Sequence, residues 1–179
     1  GVSPVQALAM DAGGNSNRCA FTVTVLGAQG VKSNVLAELT ALRASGKVEE
    51  VATVRRIAVS FRGTEVMISA LATDTISRRG QFGFATRNPE EARAALKRGE
   101  LGMTEKFAER FGIHVGDLVT LPTRDGPRTL RVGTSIRGLA GPNGSLHLDD
   151  STFDNVFSSS AGEYWMAALW VTPPEDESV

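Results

Sequence analysis

Thr104 to Leu121 reads TEKFAERFGIHVGDLVTL, and it holds a short helix, a glycine stop and the start of a strand. Thr104 has a side-chain oxygen that can accept from the open amides of a first helical turn, which makes it an N-cap. Phe107, Ala108 and Phe111 fall on one apolar helical face. Gly112 then suits the left-handed residue that ends a helix, with Ile113 folding back onto the last turn. Gly116-Asp117 turns the chain into the strand Leu118-Val119-Thr120-Leu121. The segment carries no catalytic group in a working constellation.

Downstream, Val119 to Thr123 is expected to pair with Arg128 to Ile136 across the turn Arg124-Asp125-Gly126. Gly141-Pro142-Asn143-Gly144 is a second turn. Ser145 to Leu148 reads as a strand, and Asp149 or Asp150 caps a helix carrying Phe153, Val156 and Phe157. Glu163 to Thr172 is a last strand, apolar on both faces and so expected to be central in a sheet. Trp165 and Trp170 have opposite parity on it, which places them on opposite sides.

Upstream, Cys19 to Leu26 alternates as a strand, and Asn34 to Ala44 is helical with Val35, Leu36, Leu39 and Leu42 on its apolar face. Val48 to Phe61 and Glu65 to Thr73 are two strands joined at Arg62-Gly63-Thr64. Asp74 to Asn88 reads as irregular. Asn88-Pro89-Glu90-Glu91 opens a helix with Ala92, Ala95 and Leu96 inward and Gly99 closing it. The pattern is α+β: an N-terminal β-α-β-β sheet rejoined by the final strand, with mostly β hairpins between.

Nineteen basic and 20 acidic residues give a net charge of −1 over 179 residues, with 41% hydrophobic and 22% charged. A real core is affordable, and the basic field that nucleic-acid binding uses is missing. Arg55-Arg56 and Arg78-Arg79 read as solvated pairs, not as a phosphate track. The single cysteine, Cys19, cannot close an internal disulfide or build a cysteine-rich zinc site. The longest apolar run, Met166 to Val171, falls far short of the roughly 20 residues of a membrane-spanning helix. No signal peptide is visible.

His147 and Asp149 share a strand face and could both ligate a metal, with Asp150 adjacent; the plainer reading is an exposed histidine before a capping aspartate. His114 lies in a turn. Cys19 and Ser158-Ser159-Ser160 lack a histidine at motif spacing. No G-x-x-x-x-G-K-[ST] loop exists for ATP. The Gly80-flanked segment behind Arg78-Arg79 places Phe82 and Phe84 where they could meet a partner or lipid-like substrate, or simply pin the loop to the core. Arg78, Arg79, Phe82 and Phe84 are therefore the candidate contact residues.

Two stretches together resemble a known family. Thr104, Glu105, Ala108, Phe111, Gly112, Ile113, Val115, Gly116, Asp117 and Leu121 are similar to a phrase in the extracytoplasmic domain of FtsX-like (MacB/LolC/LolE-type) ABC-transporter permeases. Gly144, Leu146, Leu148, Asp149 and Phe153 resemble its second phrase, in the same order and spacing. Ser3-Pro4-Val5-Gln6-Ala7-Leu8 resembles a third, shorter phrase found near membrane segments. The similarity runs roughly from Phe21 to Val171.

The resemblance implies a porter-like subdomain from 18–75 and 161–173, with an inserted, mostly β, sabre-like subdomain at 76–160. Residues 1–17 would be a flexible arm and 174–179 a tail. Gly112, Gly116, Asp117, Asp149 and Phe153 would be structural motif residues. The chain, which starts at Gly1, would be a piece of a longer permease lying outside the cell membrane, on its periplasmic or extracellular face. It would hold no cofactor and do no catalysis; ATP would bind a separate cytoplasmic ATPase subunit reached through transmembrane helices. Its partners would be a lipoprotein, a lipid or an extracytoplasmic protein, in export or lipoprotein extraction. The rival readings are a small soluble metal-dependent enzyme and a free-standing interaction module.

Overall fold

The computed structural model describes residues 7–10, 16–19, 33–46, 48–78, 83–85, 88–137, 141–158 and 162–171. Strands β1 (Ala7–Met10) and β2 (Ser16–Cys19) pair antiparallel with each other, β1 within and β2 running past the 1–17 stretch expected to be a flexible arm. The expected strand beyond Cys19 lies outside the described residues. Next come α1 (Ser33–Ala44), β3 (Val48–Phe61), β4 (Thr64–Leu71), α2 (Thr73–Arg78), β5 (Gly83–Phe84) and α3 (Pro89–Lys97). They are followed by β6 (Leu101–Thr104), α4 (Glu105–Phe111), β7 (Leu118–Leu121), β8 (Arg128–Arg137), β9 (Ser145–Asp149), α5 (Asp150–Phe157) and β10 (Glu163–Val171).

Eight strands make one mixed sheet in the order β10-β3-β4-β9-β6-β8-β5, with β7 paired to β8 off that path. The fold is α+β, as expected, and the final strand does return to pair antiparallel with β3. It is not central: among the described residues β10 ends the sheet order. Strand β4 of the expected 18–75 part and β9 of the expected 76–160 part pair parallel in this sheet, Met67 beside Ser145 through Leu71 beside Asp149.

One face of the sheet carries the main core. Val59, Val66, Ile68, Leu101, Met103, Leu146 and Leu148 are buried there with Phe107 and Phe153. Alternation along β3 and β4 produces this, since every second side chain points to one face. Phe61, Phe107 and Phe111 cluster, with Phe107 and Phe111 centroids 4.7 Å apart and Phe61 edge-on to Phe111 at 5.0 Å.

Local signals fixed several elements as expected. Asn88 Oδ1 accepts from Glu91 N at 3.2 Å, Pro89 opens α3, and Ala92, Ala95 and Leu96 are buried. Gly112 closes α4 in the left-handed region, and Ile113 N donates to Ala108 O at 3.1 Å. Asp117 Oδ2 accepts from His114 N at 2.8 Å and so ties the tight turn. Arg62 and Gly63 both have positive φ, the requirement of a two-residue hairpin matched to strand twist.

Thr73–Arg78 is helical, not irregular. Leu101–Thr104 is a strand that the sequence did not announce; its four residues are all buried between β9 and β8. Thr104 stands at the N-cap of α4, but its hydroxyl makes no cap bond. It serves β9 instead, donating to Ser145 O at 3.3 Å and accepting from Ser145 N at 2.9 Å.

The two sequence phrases meet in space. A Cβ on Gly144 would lie 2.5 Å from Phe107 Cα and 2.6 Å from Phe107 Cβ, and Gly144 has φ +80°. Helix α4 therefore rests on bare backbone at the start of β9. Gly144→Ala is expected to destabilise the fold by about 3 kcal/mol or more, since strain and steric overlap combine. Gly126→Ala, also at positive φ but with open space around its Cβ, should cost only about 1 kcal/mol. Urea denaturation of both variants checks the contrast.

Candidate functional site

The candidate contact residues are only partly described. Arg78 ends α2 and is exposed, with its guanidinium paired to Glu50 on β3. Phe84 is half-buried on β5, opposite Ile136. Arg79 and Phe82 lie outside the described residues. Arg78 thus bonds to a strand near one end of the sheet order, while Phe84 sits on the strand at the other end.

His147 is not an exposed strand residue. It is 5% exposed on β9, between Ser69 of β4 and Gly102 of β6. Its Nε2 lies 3.3 Å from Ser145 Oγ. Burial, with the Arg56 charge adding to it, pushes its pKa down to about 4. Asp149 shares its strand face but has other work. It caps α5, its Oδ2 accepting from Ser151 Oγ at 2.6 Å and Ser151 N at 3.4 Å, and Lys97 Nζ reaches Oδ1 at 3.4 Å. Burial raises the Asp149 pKa, but hydrogen bonds from Ser151, Thr73 and Lys97 and the Lys97 charge outweigh it, and the net shift is downward. Among the described residues, no three His, Cys, Asp or Glu side chains converge as a metal site would need. Phe153, the last motif residue, is fully buried beside Phe157, ring centroids 5.2 Å apart.

The pair Arg55-Arg56, read as solvated surface, is neither solvated nor a pair in function. Adjacent strand residues point to opposite faces. Arg55, 7% exposed, turns to α5, where its Nη2 meets Asp154 Oδ1 at 2.6 Å and Asp150 Oδ1 at 3.6 Å. Its guanidinium also lies 5.1 Å from the Phe153 ring centroid. Arg56 turns to the other face. Its Nε donates to Ser69 Oγ at 3.2 Å, and its guanidinium stacks on Trp165 with Cζ 3.4 Å from the ring centroid. Desolvation lowers the Arg56 pKa.

Arg56 and Trp165 line an open cleft of about 560 Å³ with Ile57, Ala58, Met67, Gly162 and Glu163. Two backbone features shape it. The β10–β3 register slips between Tyr164 and Met166, so Trp165 is the residue of a bulge. Gly162 has φ +79°, and a Cβ there would lie 2.7 Å from Arg56 O. The bulge overturns the parity expectation: Trp170 packs on Ala52, Val54 and Leu71, the face of β3 that also carries Arg56 and hence Trp165. Spacing could not show a bulge, though Gly162 beside an aromatic strand start was a visible hint.

The sequence matches no protein-family profile and no curated protein. Solved structures do resemble the fold. The extracellular domain of the ABC-type transporter YknZ from Gram-positive bacteria superposes with TM-score 0.53 at 10% identity, over 82% of each chain. A domain of a putative permease from Porphyromonas gingivalis gives TM-score 0.51 at 14% identity, over 95% of this chain and 71% of the other. A looser likeness, TM-score 0.47 at 12% identity over 84% of this chain and 69% of the other, is to the periplasmic region of MacB from Actinobacillus actinomycetemcomitans. The chain has the fold of an extracytoplasmic domain of ABC-transporter permeases. Among the described residues no helix is long and apolar enough to cross a membrane.

His147 gives the domain a pH response. Its folded pKa lies below its ordinary value of 6.5, so the unfolded chain binds the proton first. The stability contribution is full above the unfolded value and falls as pH drops toward the folded one. From pH 7 to pH 5 the loss should be about 2 kcal/mol. Urea midpoints across that range check it, and His147→Gln should flatten the slope. The Asp149 contribution disappears only at lower pH, as its depressed carboxylate protonates.

Proposed function

We propose that this chain is the extracytoplasmic domain of an ABC-transporter permease of the FtsX-like type. The observation that carries the reading is the fold likeness to two permease domains, joined to the interlock of the two family-like phrases at Gly144 and Phe107. Its work is mechanical and recognitional. A separate cytoplasmic ATPase supplies the energy, and transmembrane helices flanking this chain deliver it.

The sheet suits such a role. Strands β3 and β10, the first and last strands of the eight-stranded sheet along the chain, lie together at one end of the strand order. Displacement applied there passes across backbone ladders to β9, β6 and β8 without crossing a flexible linker. The division into a porter-like part and an inserted sabre-like part belongs to this proposal, with the β4–β9 ladder as the joint between them. Substrate or partner contact through Arg78, Arg79, Phe82 and Phe84 belongs to it as well, as do export and lipoprotein or lipid extraction.

Membrane fractionation of source cells, probed with an antibody to this chain, tests the reading. The expected result is a membrane-bound band much heavier than 19.0 kDa, clipped when protease is added outside intact spheroplasts. A soluble, protease-protected band of this chain's own mass would overturn it.

A further inference from the structure

Arg56 presents an unusual electrostatic problem. Its guanidinium is half-buried and desolvated, yet among the described residues it makes no ion pair, even with Glu163, its partner across the β10–β3 ladder. Arg55, one residue away, shows the ordinary solution with Asp154 and Asp150. A partly buried cation with no carboxylate in direct contact is unfavourable unless something anionic arrives. Ser69 takes Nε, and Trp165 covers one face of the guanidinium plane. That leaves the Nη1/Nη2 end of the fork, whose two parallel N–H directions match the two oxygens of a carboxylate.

The rest of the cleft selects further. Ala58, Met67 and Trp165 offer apolar surface beside the cation, and a thioether side chain adapts to flexible aliphatic groups. Glu163 lies in the same lining and opposes a second negative charge. Gly162 and the Trp165 bulge hold the wall in place, and bulges of this kind re-aim side chains beside functional sites.

We propose that this cleft binds a monoanionic amphiphile, a single carboxylate joined to an aliphatic chain, with the carboxylate on Arg56 and the chain along Met67, Ala58 and Trp165. The inference stands on the cleft and holds whether or not the chain belongs to a permease.

The test is titration of the purified chain with sodium decanoate below its micelle concentration. The readout is intrinsic fluorescence, since Trp165 and Trp170 are the 2 tryptophans in the chain. The expected result is saturable binding that Trp165→Phe makes spectroscopically silent. Decanol, which lacks the charge, and acetate, which lacks the chain, should each bind roughly tenfold or more weakly. Arg56→Met should lose decanoate to a similar degree, and Glu163→Gln, an exposed change, should tighten it. If Arg56→Met fails to fold, the decanol comparison and Glu163→Gln still decide. No saturation with decanoate, decanol binding as well as decanoate, acetate binding as well as decanoate, or Glu163→Gln weakening the complex would each overturn the assignment.

Discussion

The parallel pairing of β4 with β9 is the constraint on which the rest of the structure depends. Parallel neighbours cannot be joined by a tight turn, so a long excursion must separate them. Here residues 72–144 form that excursion, and they supply α2, β5, α3, β6, α4, β7 and β8 before the chain returns. The ladder then sets registers on both faces at once. Ile68 beside Leu146 and Ala70 beside Leu148 fill the main core, while Ser69 beside His147 lies on the opposite face. A slip of one residue would exchange these sets and bury the wrong one.

The second layer is placed by a contact that needs an absent side chain. Gly144 leads into β9 where Phe107 of α4 crosses it, and no Cβ fits between them. Close approach brings the Phe61–Phe107–Phe111 cluster down on the sheet. At the other end of β9, Asp149 turns the strand into α5 and binds its first turn. The segment from Gly144 to Asp149 thus holds a helix at each end. The sequence phrases that resemble the permease family are the pieces of this arrangement, which explains why they contain glycines, a capping aspartate and phenylalanines in place of catalytic groups.

What could be read in advance was the local part. Helix α3 declares itself through Asn88-Pro89 and Gly99, α4 through Gly112, and the β7–β8 hairpin through its turn; each depends on residues close in sequence. Strand β6 was hidden because Leu101–Thr104 is short, contains Gly102 and gains its pairing from β8 and β9, which lie far along the chain. His147 looked exposed because a strand histidine carries no mark of what covers it. Helix α2 is too short for periodicity to show. Of the candidate contact residues, Arg78 on α2 bonds to β3 near one end of the strand order while Phe84 lies on β5 at the other, a relation that their closeness in sequence concealed.

Arg55 and Arg56 show the same limit most sharply. They are chemically identical and adjacent, and sequence treats them as one feature. Strand alternation separates them. Arg55 meets Asp154 and Asp150 on α5, which fastens that helix to β3 and closes its charge within the fold. Arg56 meets an aromatic ring and a hydroxyl, which orient a guanidinium without neutralising it. Stacking on Trp165 recovers some attraction, and Ser69 one hydrogen bond, but neither replaces a counter-charge in a partly desolvated site. A side chain with only a stabilising role at this position would gain from being apolar and well packed. The charge at Arg56 therefore makes better physical sense as one half of a recognition pair than as part of the fold's own support.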